Sequence, residues 1–350
     1  MVKMKSAMML GPRQIELVDV DVPQGDADSV IIKTDGIGVC GSNLHWWRGA
    51  ERPTSLWPFP IPGAGGHEYG GTVVEVGRNI RKLKVGDRVA VDQFHSTSCG
   101  HCVYCTSGAF GVCPNLGDFV TPGFVEYIKF GEKGIHVLPD AISSHEAAII
   151  EPAATPIGAL RRLGLRGGER VVVLGAGVVG LIAANVAKLL GAGKVVVTAK
   201  YDQQENFAYE FGADAVVRSN AVDAVEQVLS HVDGGADIVI ETVGGSANTL
   251  DQAAVIVRPR GTVVVLGLWE VATKIDSWAA VFKEINFMYA LAYGQVGLRT
   301  DYAFAIDMMA SGRLPLGKLI THQLPLAKIR EAFELADDKT RGAIKVLVRP

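Results

Sequence analysis

The second half of the chain carries a regular alternation. Short apolar, β-branched runs fall at Val171–Leu174, Val195–Thr198, Ala215–Val217, Asp237–Glu241 and Thr262–Leu266. Between them, Val178–Leu190, Gln203–Phe211, Val222–Ser230 and Ala247–Val257 have helical character. Strands buried on both faces read as continuous apolar runs, and strand–helix alternation at this interval predicts a doubly wound parallel sheet of the α/β class. A last run at Ile285–Tyr289 closes that sheet. The first half has another texture. Ser29–Lys33, Gly71–Val76, Asp87–Val91 and Phe124–Ile128 are short strand patterns bounded by turn formers, and residues 1–150 show no helical period. They predict an irregular β domain with long loops, to which a strand at Ala343–Val348 returns. The expected partition is 1–153, with a distinct lobe at about 95–115, then 154–292, then 293–350 as the return segment.

Composition supports this reading. A chain of 350 residues is too long for one ordinary core, and 41 glycines with 48% hydrophobic residues suit a glycine-rich α/β protein. A formal net charge of −3 offers no basic patch for nucleic acid or an anionic membrane. The uncharged stretch Val171–Ala187 is shorter than the roughly 20 residues a membrane span needs, and its glycines fit a strand–turn–helix better. Met1–Gly11 has no signal-peptide core, so the expected location is the cytoplasm. Five cysteines are an odd number for a disulfide framework, and four of them crowd into Cys99–Cys113. In a reducing compartment such crowding points to a metal.

Gly175-Ala-Gly177-Val178-Val179-Gly180 follows one predicted strand and opens the next helix. In that setting the first glycine makes a tight turn, the second lets backbone approach a pyrophosphate, and the third lets helix and strand pack closely. The helix N-terminus then offers free N–H groups to the phosphates. About 20 residues further on, an NAD site wants a carboxylate for the ribose hydroxyls. The sequence there is Thr198-Ala199-Lys200-Tyr201. No acid stands at Ala199 and a cation follows, which favours the 2′-phosphate of NADP. The alternative is a solvated Lys200 with Asp202 binding the ribose of NAD.

Cys99, Cys102, Cys105 and Cys113 supply four thiolates from one loop, the donor set of a closed tetrahedral structural zinc site, with His101 a bystander. An iron–sulfur cluster is the rival reading, but the last interval is seven residues where the ferredoxin spacing has three, and no second cysteine set exists for a relay. Cys40, in Gly38-Val-Cys40-Gly-Ser42-Asn43-Leu-His45, stands apart. His67 and Glu68 lie between glycines in Gly65-Gly-His67-Glu68-Tyr-Gly70-Gly71, and Glu151 follows later in Ile150-Glu151-Pro152. Thiolate, imidazole and carboxylate with one position left open form the donor set of a catalytic zinc.

With these motifs, from Cys40 to Gly180, the chain resembles the zinc-dependent medium-chain dehydrogenases. It is most similar to their polyol (sorbitol) and threonine dehydrogenase branch, where Glu takes the third protein position near zinc. The resemblance implies a GroES-like catalytic domain with a Rossmann domain, two zinc ions, and assembly as a homodimer or homotetramer. It makes Cys40 and His67 zinc ligands, Glu68 a ligand or an exchanging one, and Glu151 a ligand directly or through water. Ser42 and His45 match its proton-relay positions. Asn43 departs from the usual Asp, which partners the zinc histidine, and an amide would support that imidazole less well.

The implied reaction is hydride transfer between a secondary alcohol and NADP(H) or NAD(H). Trp46, Trp47, Trp57 and Phe59 either wall a substrate pocket or belong to the core, and Arg48 or Glu51 would meet extra hydroxyls. A sugar, polyol or cyclitol leads; a simple secondary alcohol or ketone and an amino-alcohol follow. A non-catalytic, zinc-stabilised nucleotide sensor is the reading from another class, and it would not need Cys40, His67, Glu151, Ser42 and His45 together.

Overall fold

The structure is a computed structural model and describes residues 2–117 and 122–350. Its chain divides into two compact units: Met1–Ala154 with Gly294–Pro350, and Thr155–Tyr293.

The second unit is built on a six-stranded sheet in which every pairing is parallel. Arg170–Leu174 lies at its centre. On one side follow Lys194–Ala199 and Ala215–Arg218, on the other Ala236–Glu241, Val257–Val265 and Asn286–Tyr289. The order therefore reverses at Arg170–Leu174, and dinucleotides bind outside the carboxyl ends of strands at such a switch point. Val196, Val172, Val239 and Val263 sit side by side across the sheet and are fully buried. Each such side chain contributes roughly 1.5–3 kcal/mol of burial. The helices Val178–Leu189, Asp202–Glu210, Ala224–His231 and Thr249–Ile256 alternate with these strands, as the apolar periodicity predicts.

In the first unit, Ser29–Gly38 pairs with Glu68–Val76, Tyr127–Gly131 and Lys345–Arg349. Arg88–Val91, Ile135–Val137 and Ile320–Pro325 extend the sheet. The first hairpin, Lys3–Gly11 with Gln14–Asp21, forms a separate sheet with Ile61–Pro62. The expected strand Phe124–Ile128 begins later, at Tyr127–Gly131, because Phe124 and Val125 instead turn their backbone toward the first strand: Val125 bridges Ser6 and the Phe124 carbonyl accepts from Ala7.

Residues 1–150 also contain helices that their sequence pattern does not announce. Gly41–Arg48 is eight residues long, begins beside Cys40, and ends at Gly49 with φ 74°. Its buried positions, Asn43, Leu44, Trp46 and Trp47, are too few and too mixed to register as an apolar period. Later, Ile329–Asp337 buries Ile329, Ala332, Phe333 and Ala336 at helical spacing. Phe333 meets Trp47 with ring centroids 5.6 Å apart. No helix of the described residues is long and apolar enough to cross a membrane.

Candidate active site

Strand register brings distant residues of the first unit together. Gly38 pairs with Glu68 on one side and with Leu347 on the other. Cys40 leaves the end of this strand and opens the helix Gly41–Arg48, while His67 directly precedes Glu68. Ligand atoms of Cys40, His67 and Glu68 consequently lie within 4.8 Å of one another. Glu151 is 7% exposed and acts electrostatically on His67.

The orientation of His67 follows from one hydrogen bond. Its Nδ1 lies 2.8 Å from the Gly65 carbonyl, which can only accept, so Nδ1 carries the hydrogen and Nε2 is left as the basic nitrogen. Asn43 does not fill the expected role beside this imidazole. Its Nδ2 donates to the same Gly65 carbonyl at 2.7 Å, and its Oδ1 accepts from the Cys40 amide at 2.9 Å. The amide thus ties the Cys40 turn to the His67 turn, and a backbone carbonyl supports the histidine. A carboxylate at position 43 could not make the donation to Gly65.

The electrostatics ask for a cation. Withdrawal from solvent would lower the His67 pKa, yet Cys40, Glu151 and Glu68 outweigh it and raise the group to about 10. A cluster that pulls a proton this strongly onto an imidazole carries excess negative charge, and thiolate, imidazole and carboxylate match the ligand preferences of zinc. Glu68 is more constrained than the sequence suggests. Lys345 donates to both its carboxylate oxygens, at 2.7 and 2.8 Å, in a pair where the two side chains are 2% and 0% exposed. Ser42 and His45 lie one helical turn apart. The Ser42 hydroxyl oxygen is buried with no hydrogen-bond partner among the described residues.

The four-cysteine lobe is closed. Sulfur–sulfur distances are 3.5 Å for Cys102–Cys105, 3.8 Å for Cys99–Cys105 and 3.9 Å for Cys102–Cys113, and all four sulfurs lie within 4.8 Å. Thiolates about 2.3 Å from a zinc centre define tetrahedron edges of about 3.8 Å, so a single ion fits this spacing. Cys99 is lowered to about 6 by the amides of His101 and Cys102. For Cys102 the Cys105 amide is outweighed by burial and the neighbouring sulfurs, which push it up to about 11. Four thiols this close cannot all ionise without a cation between them. His101 is exposed and turned to the Cys99 carbonyl at 3.0 Å.

In the second unit Gly175 has φ 101°, and a side chain on Gly180 would meet the Gly175 carbonyl oxygen at 1.9 Å. Gly177 faces open space at the start of Val178–Leu189, with Val178 and Val179 half-buried in its first turn. These positions provide the turn, the helix–strand contact and the uncluttered N-terminus that a pyrophosphate requires. Ala199 ends its strand buried, Lys200 is exposed, and its ammonium lies 5.6 Å from the centre of the Tyr201 ring. Arg218 escapes the linear reading. It sits beside Ala199 in the parallel register and pairs with Asp202 and, at 2.7 Å, with Glu205. Asp202, the alternative ribose partner, is thus engaged by a cation. The apolar run Ala215–Val217, with Arg218 just beyond it, is the signal that could have found it.

Of the two readings of the aromatics near Cys40, the structure favours the core. Trp46 and Trp47 are 6% and 1% exposed and belong to the core of the first unit, against which Trp57 and Phe59 pack. Arg48 is held by Asp337 at 2.7 Å, a contact the sequence could not place because it spans 289 residues.

Known proteins carry the same organisation. Residues 26–140 match the alcohol dehydrogenase GroES-like domain, and residues 178–311 match the zinc-binding dehydrogenase domain. A sorbitol dehydrogenase of Bacillus subtilis is 33% identical over 99% of this chain and 97% of its own length. The crystal structure of an Escherichia coli oxidoreductase/dehydrogenase of unknown specificity superposes with a TM-score of 0.88 at 29% identity, covering 99% of both chains. A putative zinc-binding dehydrogenase from Sinorhizobium meliloti, solved bound to NADP, gives 0.85 at 28% identity over 100% of both chains. The likeness runs the length of the chain and includes both domains, so this protein belongs to the zinc-type medium-chain dehydrogenase family.

Proposed function

We propose that this chain is a zinc-dependent dehydrogenase that exchanges a hydride between a secondary alcohol of the sugar, polyol or cyclitol class and NADP(H), with NAD(H) also accepted. The observation that carries the reading is the convergence of Cys40, His67 and Glu68 within 4.8 Å, with Glu151 acting on the same imidazole. A zinc ion held there would polarise the substrate oxygen and favour its alkoxide. Ser42 and His45 would carry the hydroxyl proton outward by way of a cofactor ribose hydroxyl, with the unpartnered Ser42 hydroxyl at the substrate end and His45 the exit. The second zinc belongs to Cys99, Cys102, Cys105 and Cys113, where it holds the lobe. Gly175, Gly177, Val178, Val179 and Gly180 bind the pyrophosphate, and Ala199, Lys200 and Tyr201 face the adenosine ribose.

The likeness to sorbitol dehydrogenase supports the polyol class, and the NADP-bound relative supports the cofactor. Lys200 and Arg218 supply positive charge near the end of Lys194–Ala199, although Asp202 and Glu205 offset the second. The five cysteines are free, in keeping with the reducing cytoplasm we propose. A homodimer or homotetramer is favoured by the edge strand Asn286–Tyr289, which among the described residues is paired on one side only, and by exposed Trp278, Val281 and Phe282 nearby in sequence. The test is a panel of polyols, sugars, cyclitols and simple alcohols with each nicotinamide, followed by reduced-cofactor absorbance. Highest kcat/KM on a polyol supports the reading; activity confined to simple alcohols removes its substrate class.

A further inference from the structure

The glycine turn of the second unit is held from both sides by hydroxyl groups. Leu174, the last residue of its strand, pairs with Thr198 on one neighbouring strand and with Glu241 on the other. Thr198 is buried, and its Oγ1 accepts from the Gly175 amide at 3.0 Å. From the opposite side Thr242, directly after Glu241, donates its backbone N–H at 3.1 Å and its hydroxyl at 2.8 Å to the Leu174 carbonyl. The same hydroxyl oxygen lies 2.9 Å from where a Cβ would stand on Gly175, and 2.9 Å from where one would stand on Gly180. It therefore occupies the space that two of the three glycines leave free. Glu241 keeps the backbone beyond Thr242 in place: its buried carboxylate accepts through Oε1 from the amides of Val243 and Gly244, at 2.8 and 3.0 Å, and from the Thr249 hydroxyl at 2.7 Å.

We propose that Thr198 and Thr242 are positioning residues for the cofactor's pyrophosphate: one hydroxyl from each flanking strand fixes the turn and so sets the opening amides of the helix Val178–Leu189 for the phosphates. This rests on the nucleotide-site reading above. The Gly175 amide is engaged by Thr198, so the phosphates are left to the amides that follow it. The first intrahelical bond runs from the Leu181 amide to the Gly177 carbonyl, and the amides of Val178, Val179 and Gly180 come before it. A turn with φ 101° at Gly175 has no side chain of its own to anchor it. Valine at position 198 or 242 would keep the size and branching of threonine and remove only the hydroxyl. At 198 this leaves the Gly175 N–H unpaired; at 242 it sets a methyl group against the Leu174 carbonyl.

The test measures binding of ADP-ribose, which carries the pyrophosphate, and of adenosine, which carries no phosphate, to the full zinc-loaded chain. Wild type should bind ADP-ribose more tightly than adenosine. Thr198→Val and Thr242→Val should each weaken ADP-ribose about 5- to 30-fold and leave adenosine unchanged. Thr198→Ser and Thr242→Ser, which keep the hydroxyl, should hold the wild-type ratio of the two affinities. Should a valine variant fail to fold, alanine at the same position removes the hydroxyl without pressing a methyl group on the turn, and the same loss is expected of it. A folded valine or alanine variant that binds ADP-ribose as wild type does would overturn the inference. So would an equal loss for both ligands, which would make the threonines supports of the sheet alone. Wild type that binds ADP-ribose no more tightly than adenosine would overturn the pyrophosphate site itself, and this inference with it.

Discussion

His67 donates its Nδ1 hydrogen to the Gly65 carbonyl, 2.8 Å away, and this contact decides which nitrogen of the ring is available for chemistry. The support is a backbone group, so no side-chain substitution removes it directly. Asn43 stabilises the same carbonyl from the other side. Replacing Asn43 with Asp, the residue usual in the family, should therefore lower metal retention here, because a carboxylate would face the Gly65 oxygen it cannot bond. Zinc loss from Asn43→Asp to a competing chelator should be faster than from wild type, by about 10-fold. Slower loss would mean that position 43 acts on the histidine directly.

Cys40 and Cys102 should fail differently. Cys40→Ser should lose the open-site zinc and turnover while the melting temperature stays near wild type. Cys102→Ser should unravel the lobe and lower the melting temperature, since the lobe's buried apolar residues are few beyond Phe110 and its own cysteines. Zinc content and thermal melts of the two variants check both outcomes. Equal melting losses would make the two sites structural alike.

The proposed relay carries a pH-dependent prediction. His45→Ala should slow alcohol oxidation most near neutral pH, where removal of the hydroxyl proton needs help, with partial recovery at high pH or in imidazole buffer. An unchanged pH–rate profile would exclude His45 as the proton exit.

His136 offers a stability test away from the metal. It is stacked on Tyr302 at 5.2 Å, its Nε2 has no hydrogen-bond partner among the described residues, and burial lowers its pKa to about 4. A depressed histidine favours folding as the neutral ring. Its contribution is complete above the unfolded value near 6.5 and is lost as pH falls from there toward 4. His136→Phe should flatten the fall in stability across that window, a difference of roughly 3 kcal/mol at most. Parallel acid profiles for variant and wild type would contradict the assignment.

The cofactor corner is testable by ratio. Lys200→Ala should reduce kcat/KM with NADP by roughly 5- to 150-fold and spare NAD, as expected for loss of a charged contact worth about 1–3 kcal/mol. Ala199→Asp should shift preference toward NAD. A wild-type ratio favouring NAD would return the ribose to Asp202.

What the linear sequence reveals follows from interaction range. The cysteine lobe is legible because its four ligands fall within Cys99–Cys113, and the glycine turn because strand, turn and helix are contiguous. The parallel sheet is legible because its strands are continuous apolar runs. Lys345 is not legible: its partner Glu68 is 277 residues away, and only strand register makes them neighbours. Arg218 likewise depends on pairing with Ala199. The tryptophans near Cys40 leave the choice open because aromatic residues serve cores as readily as pockets, and burial of Trp47 against Phe333 shows that it is core.

The central claim is that the Cys40–His67 site is the seat of catalysis and needs its own metal. The most direct test removes that zinc from the folded protein with a mild chelator, measures nicotinamide reduction on the best polyol substrate, and then restores zinc in steps. Turnover should vanish while the four-cysteine zinc remains, and return in proportion to the second equivalent, with no recovery in Cys40→Ser. Full turnover with zinc in the four-cysteine lobe alone would contradict it, as would no turnover on any alcohol with both sites filled.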